Sequence, residues 1–295
     1  MHRADDEDLH LALYCCYELH YRGLDAVDDG WEWEPSLIGA RRVFEERFET
    51  ELRDAVGPPD SAPAADEMDV ALREIAMADE GGPSVSQFVE RAATREQLIE
   101  FVVHRSAYQL KEADPHSWAL PRLWGPPKAA LVEIQADEYG GGRPDRIHAA
   151  LFARTMEAVG LDPTYGAYLD RIPAAMLATV NLMSLFGLHR SWRGAIVGHL
   201  ALFEMTSSVP SRRYASGLQR LGFGDDATAF FDVHVTADAV HESIAAVDLA
   251  GGLARQEPAL GPDILWGARA LVAVERRWGH HVLDRWQRGA TSLRD

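Results

Sequence analysis

The stretch Phe230-Phe231-Asp232-Val233-His234-Val235-Thr236-Ala237-Asp238-Ala239-Val240-His241-Glu242 decides how this chain is read. His234, Asp238 and His241 stand at i, i+4 and i+7. A helix turns about 100° per residue, so the three fall within an arc of roughly 60°. Two imidazoles and a carboxylate then leave consecutive turns in one direction, a donor set that suits iron, manganese or zinc. A helix with polar residues on its wet face explains the same spacing, and the rest of the chain has to decide between the two.

The 295 residues are 47% apolar and 25% charged, with a formal net charge of -17. That is the composition of a globular protein with a sizeable core. No Lys/Arg-rich run offsets the acidity. A chain so negative is repelled by phosphate backbones and anionic lipid, which sets aside nucleic acid and membrane surfaces as partners. Lys111 and Lys128 are the only lysines, so Schiff-base chemistry has few candidates. Cys15 and Cys16 are neighbours in an apolar helical pattern. Adjacent helical side chains point apart, so both read as buried thiols in a reducing compartment. The start, Met1-His2-Arg3-Ala4-Asp5-Asp6-Glu7-Asp8, lacks the regions of a signal peptide. No apolar run approaches transmembrane length. The expected location is cytoplasmic.

Away from the motif the periodicity is helical throughout. Helices are expected over 8–22, 36–56, 68–78, 84–113, up to 138, 145–159, 166–186, 190–207, 211–222, 225–249 and 262–288, separated by Gly and Pro signals. Strand-like alternation is nowhere sustained. The loop Gly57-Pro58-Pro59-Asp60-Ser61-Ala62-Pro63 is too short and too early to divide two domains. The fold class is all-α, a single domain of roughly ten helices.

Three further segments offer donors. Glu112, in Lys111-Glu112-Ala113-Asp114-Pro115-His116, falls in the last turn of an expected long helix. There a carboxylate meets the negative end of the helix dipole, which a nearby cation would offset; an exposed Glu is the plain alternative. Glu138 and His148 flank Gly140-Gly141-Gly142, and a bend at those glycines could bring both onto one centre. A helix C-cap explains the glycines equally well. Glu204 lies in a strongly apolar helical segment, where a carboxylate is protonated, paired or metal-bound. Glu7-Asp8-Leu9-His10 is the one Glu-x-x-His match, unpaired and at an expected frayed terminus, which argues against a ferritin-like bundle.

Together Glu112, Glu138, His148, Glu204, His234, Asp238 and His241 resemble the ligand set of the haem-oxygenase-like diiron oxidases, the iron-containing redox enzymes. The His-x3-Asp-x2-His motif matches without a gap. Lys-Glu-Ala-Asp-Pro-His at 111–116 and Asp137-Glu138-Tyr139-Gly140-Gly141-Gly142 are also similar to family segments. The resemblance covers 85–250 as a metal-binding helical core, with 1–60 as an N-terminal helical extension. It implies a haem-oxygenase-like bundle that binds no haem and holds two irons, Fe(II)/Fe(III), with O2 as cosubstrate. The division it implies is Glu138, His148 and His234 on one iron, and Glu112, Glu204, Asp238 and His241 on the other, one carboxylate bridging. Family outcomes include N-oxygenation, desaturation and oxidative C–C cleavage or decarboxylation. The substrate would be amino-acid-like or fatty-acid-like, in specialised metabolism such as natural product biosynthesis. An external electron donor and a homodimer are further family expectations.

Tyr139, Phe203, Phe230 and Phe231 flank ligand positions and could line an apolar substrate cavity, though ordinary core explains each. Arg190 and Arg193 could hold a substrate carboxylate bidentately, although surface arginines are commoner. The rival readings are a non-catalytic or regulatory ligand-binding protein on a haem-oxygenase- or thiaminase-like fold, and haem oxygenase proper. A Mn/Fe centre, or one that oxidises a side chain of its own such as Tyr139, is a variant of the leading reading.

Overall fold

A computed structural model describes residues 6–78 and 84–294, apart from the side chains of Asp238 and Ala239. Among the described residues every regular element is helical. Helix α1 (Glu7–Glu18) is capped by Asp6, whose carboxylate accepts from the Leu9 N–H at 3.0 Å. Helix α2 (Pro35–Val56) starts on a proline, whose missing N–H is no loss in a first turn, and stops at Gly57. Helices α3 (Met68–Ala78) and α4 (Val85–Arg91) follow. Next come α5 (Arg95–Gln109), the single-turn α6 (Asp114–Ser117), α7 (Gly125–Glu138), α8 (His148–Val159) and α9 (Ala174–Leu188). The chain closes with α10 (Arg193–Arg220), α11 (Asp225–Ser243), α12 (Gly252–Gln256) and α13 (Gly261–Gln287).

Several boundaries differ from the sequence expectation: the helix expected from 166 starts only at Ala174, after Pro173, and three other differences have a plain local reason. The helix expected over 84–113 is two helices. Thr94 and Gln97 form a reciprocal capping box that starts α5 afresh. The two helices expected over 190–207 and 211–222 are one, α10, which runs through Pro210. A proline forfeits one helical hydrogen bond, and packing of α10 between α11 and α13 outweighs the loss. The end of the motif helix, Ile244–Gly251, is wound as a π-helix. The Glu7-x-x-His10 terminus is not frayed: His10 is fully buried against the Phe48 ring, with centroids 5.0 Å apart.

Helix α9 explains where the interior lies. Every residue from Ala174 to Gly187 is buried, and a helix apolar on all faces must be surrounded. Leu182 and Phe186 join a cluster with Leu13 of α1, Phe48 of α2 and Trp266 of α13. Met176 and Met183 join a second with Phe101, Phe152, Phe230 and Trp278. The N-terminal helices therefore share the main core. Helices α10 and α13 cross at backbone contact, because a Cβ on Gly198 would overlap Ile264 and one on Gly267 would overlap Ala195. Cys16 is buried, Cys15 half-buried, and both are free thiols. Among the described residues no helix is long and apolar enough to cross a membrane.

Candidate metal centre

Glu112 reaches the interior because the chain reverses directly after it. It lies beyond the end of α5, not in its last turn, and Ala113 adopts a left-handed conformation with φ 72°. For a residue with a Cβ this costs about 1–2 kcal/mol, so the surroundings must impose it. Gln135 Nε2 donates to the Ala113 carbonyl at 2.9 Å. On the other side Lys111, itself buried, pairs with Glu18 at 2.7 Å and lies over the rings of Tyr14 and Tyr21. Burial presses the Lys111 ammonium below its ordinary pKa, and the Glu18 carboxylate opposes that.

Glu138 is the last residue of α7 and His148 the first of α8. Gly140, Gly141 and Gly142 all have positive φ between them, a run that residues with a Cβ rarely adopt. At Gly140 a Cβ would also lie 2.6 Å from the Arg146 backbone. The bend folds α8 back, so that His148 Nδ1 sits 2.9 Å from Glu138 Oε2. Glu204 comes from α10, and His234 and His241 from one face of α11. Asp238 is on α11 between these two, with its side chain outside the described residues.

These side chains form two groups. Glu112, Glu138, His148 and His234 each present one ligand atom, all within 4.8 Å of one another. Glu138, Glu204 and His241 do the same, so Glu138 belongs to both. Glu112 falls with His148 and His234, and Glu204 with His241. None of the six is more than 6% exposed. A small space of about 10 Å³ between Glu112, Glu138, Glu204 and His234 is closed by Tyr108 and His116.

Three buried carboxylates at one point repel each other strongly unless cations lie among them. Two buried atoms fit a metal. Glu112 Oε2 has no hydrogen-bond partner, and His148 Nδ1 approaches Glu138 without hydrogen-bond alignment. The imidazoles are also oriented from behind. His234 Nδ1 lies 2.7 Å from the Phe230 carbonyl, which accepts its N–H and leaves Nε2 facing Glu112 at 3.6 Å. His241 Nε2 lies 3.1 Å from Asp137, which leaves Nδ1 facing Glu204 at 3.2 Å. Such rear partners are what fix the tautomer of a metal-binding histidine. Asp137 was not singled out in the sequence, where it is only the neighbour of Glu138.

The charges shift in keeping with this packing. Burial depresses the His241 pKa, but hydrogen bonds to Glu204 and Asp137 and the Glu204 charge outweigh it and hold it up at about 9. Burial raises the Glu138 carboxyl, yet the close His148 ring and the neighbouring imidazoles of His234 and His241 bring it below the usual range. Alongside, His116 Nε2 and His199 Nδ1 are 3.1 Å apart. Burial keeps both neutral, His116 at about 4 despite the Glu138 charge. Burial and the charges of Glu112, Glu138 and Glu204 keep the Tyr108 phenol protonated.

A cavity of about 250 Å³ opens onto Glu112 and His234. Phe203, Phe230 and Phe231 line it, with Phe101, Phe152 and Trp278. The other pocket expectations end elsewhere. The Tyr139 hydroxyl is bonded to Asp114 and Ser117 at 2.8 and 2.9 Å, so it braces the turn after Glu112. Arg193 is paired with Glu257 at 2.5 Å, and Arg190 is exposed beside it.

Two comparisons with known proteins bear on this arrangement. A family model described as "Iron-containing redox enzyme" matches residues 99–276, which contain all seven expected ligands. The chain is also similar to a nitrosourea synthase of Streptomyces achromogenes subsp. streptozoticus, 32% identical over 157 residues. That stretch is 53% of this chain and 32% of the relative, so the chain spans about a third of the relative's length.

Proposed function

The chain belongs to the iron-containing redox enzyme family, and on that footing we propose that it is a non-haem diiron enzyme that oxidises a small molecule with O2 as cosubstrate. The observation that carries the reading is Glu138, a buried carboxylate shared by two groups of donors. A carboxylate with donors on both sides suits a pair of cations, and Glu138 would be a ligand to each. Iron held there would supply the electrons that reduce O2, and carboxylate and imidazole donors suit Fe(II).

The rest is the work of the chain's own residues. Glu112, Glu138, His148 and His234 would hold one ion; Glu138, Glu204 and His241 the other, with Asp238 as a further ligand on the same helix. The Phe230 carbonyl and Asp137 lie against the outer nitrogens of His234 and His241, which would leave the inward nitrogens to the metal. His116 and His199, both neutral, stand beside the centre without adding charge. The Phe203, Phe230 and Phe231 rings keep water from the reacting side.

Among the outcomes open to such a centre, oxygenation of a nitrogen is the one proposed. The relative's name denotes a product with an oxidised nitrogen. The proposal places the enzyme in the cytoplasm and in specialised metabolism, as a homodimer served by an external electron donor. Mixing the anaerobic, Fe(II)-loaded protein with O2 tests it: iron-dependent O2 uptake with an optical transient is expected. O2 uptake that is the same after chelation of the iron would refute it.

A further inference from the structure

The residues on either side of Glu112 are each held by a side chain from elsewhere in the fold. From α7, Gln135 Nε2 donates to the Ala113 carbonyl at 2.9 Å, and the Tyr139 hydroxyl just past that helix donates to Asp114 at 2.8 Å. From the end of α1, Arg22 Nη2 donates to the Leu110 carbonyl at 2.8 Å, and Glu18 pairs with the Lys111 ammonium at 2.7 Å. Glu112 Oε2, between these two pairs of ties, has no hydrogen-bond partner. The ties from α7 belong to a helix that supplies a ligand of its own, Glu138. Those from α1 belong to a helix that supplies none, and Glu18 and Arg22 lie outside the residues 99–276 that the family model matches.

The α1 end is built for this contact. Glu18 and Arg22 stand at i and i+4, on one face. The chain then turns at Gly23, whose N–H donates to the Glu18 carbonyl at 3.0 Å and whose φ is 72°. The Arg22 guanidinium is 4.2 Å from the centroid of the Tyr165 ring, and the Tyr165 hydroxyl donates to Glu18 Oε1 at 2.6 Å. Each of the three braces the next, and Glu18 Oε2 is left for Lys111. The side chains of Glu18 and Lys111 are both 1% exposed. Apolar residues of similar volume often serve stability as well as a buried ion pair does. What the pair adds is direction: it fixes where the Lys111 side chain goes, and so how the backbone enters the turn at Glu112. Ala113, with its φ of 72°, makes that turn a strained one that relaxes once an end is released.

We infer that Glu18 and Arg22 are positioning residues of the metal centre, holding the turn 110–114 so that the Glu112 carboxylate faces His148 and His234. Helix α1 is then part of the metal site, although it gives the site no ligand. The inference rests on the reading of Glu112 as a metal ligand. Removing a residue that orients a ligand costs roughly 10–100-fold in metal affinity.

Anaerobic Fe(II) binding to the full chain tests it, in the wild type and in Glu18→Gln, Arg22→Gln, Arg22→Lys, Glu112→Gln and Arg220→Gln. Hydrogen exchange of residues 108–116 is followed in each metal-free protein. Arg22 is exposed, so its replacement spares the core. Arg220 is the control: it also grips carbonyls, those of Val89, Glu90 and Ala93, but stands about 24 Å along α10 from Glu204. Iron affinity is expected to fall about tenfold or more in Glu18→Gln and about threefold in Arg22→Gln, with faster exchange of 108–116 before any metal is added. Arg22→Lys should restore both, and Arg220→Gln should alter neither. Unchanged affinity in Glu18→Gln or Arg22→Gln while Glu112→Gln weakens, or equal weakening in Arg220→Gln, overturns the inference alone. If Glu18→Gln does not fold, Arg22→Gln decides. A Glu112→Gln chain that binds iron like the wild type removes Glu112 from the ligands, and the inference with it.

Discussion

The glycine bend between α7 and α8 can be tested at a single methyl group. In Gly140→Ala the new Cβ would lie 2.6 Å from the Arg146 carbonyl carbon and 2.7 Å from the Ile147 nitrogen. Positive φ at a residue with a Cβ costs about 1–2 kcal/mol, and forcing a methyl into packed backbone adds about 1–3 kcal/mol. The expected loss is therefore about 2–5 kcal/mol. Relief requires residues 146 and 147 to move, and they lead directly into His148. The donor facing Glu138 moves with them, so Fe(II) affinity at the Glu112–His148 group should fall by tenfold or more. Gly142→Ala is the control: its φ is 76°, but nothing lies within 4 Å of the added Cβ. It should cost about 1 kcal/mol and leave metal binding intact. Urea unfolding of the metal-free chain and anaerobic Fe(II) titration read the two effects. If the two variants match in both stability and iron affinity, the bend does not position His148.

Two further outcomes follow from the charges. His241, held at about 9, is an imidazolium near neutral pH in the metal-free chain. Its stabilisation is fully present below about pH 6.5 and is lost as pH rises through about 9. Metal binding must displace that proton, so affinity at the Glu204–His241 group should run the opposite way, rising roughly tenfold per unit over the same window. Mn(II) titrations across that range check it, and a flat profile contradicts it. Lys111→Met leaves Glu18 buried with the Tyr165 hydroxyl at 2.6 Å and the Arg22 N–H at 3.4 Å but without its ammonium. A loss of about 3–5 kcal/mol in urea unfolding is expected; a change below about 1 kcal/mol would show the pair to be dispensable.

What the sequence made legible was whatever depends on short-range spacing. The i, i+4, i+7 set put His234 and His241 on one face of α11, and the three glycines marked the bend between Glu138 and His148. All-helical periodicity gave the fold class. The capping box Thr94-Arg95-Glu96-Gln97 was also written there, and it is what divides the expected 84–113 helix. The remainder depends on contacts between distant residues. Arg105 meets Glu275 across 170 positions and Lys111 meets Glu18 across 93, and neither leaves a local pattern. Tyr139 beside Glu138 looked like a cavity residue, but a neighbour in sequence leaves a helix end in another direction, and its hydroxyl went to Asp114. Arg193 found Glu257 for the same reason. Pro210 marked a break that tertiary packing overrode, so that α10 runs on past it.

The central claim is that one carboxylate, Glu138, serves two metal positions. Equilibrium Fe(II) binding under anaerobic conditions, counted for the wild type and for Glu138→Ala at the same free iron, tests it most directly. The account predicts two ions per chain in the wild type and the weakening of both in the variant. A wild type that binds one ion, or a variant that loses one and keeps the other at unchanged affinity, would contradict it.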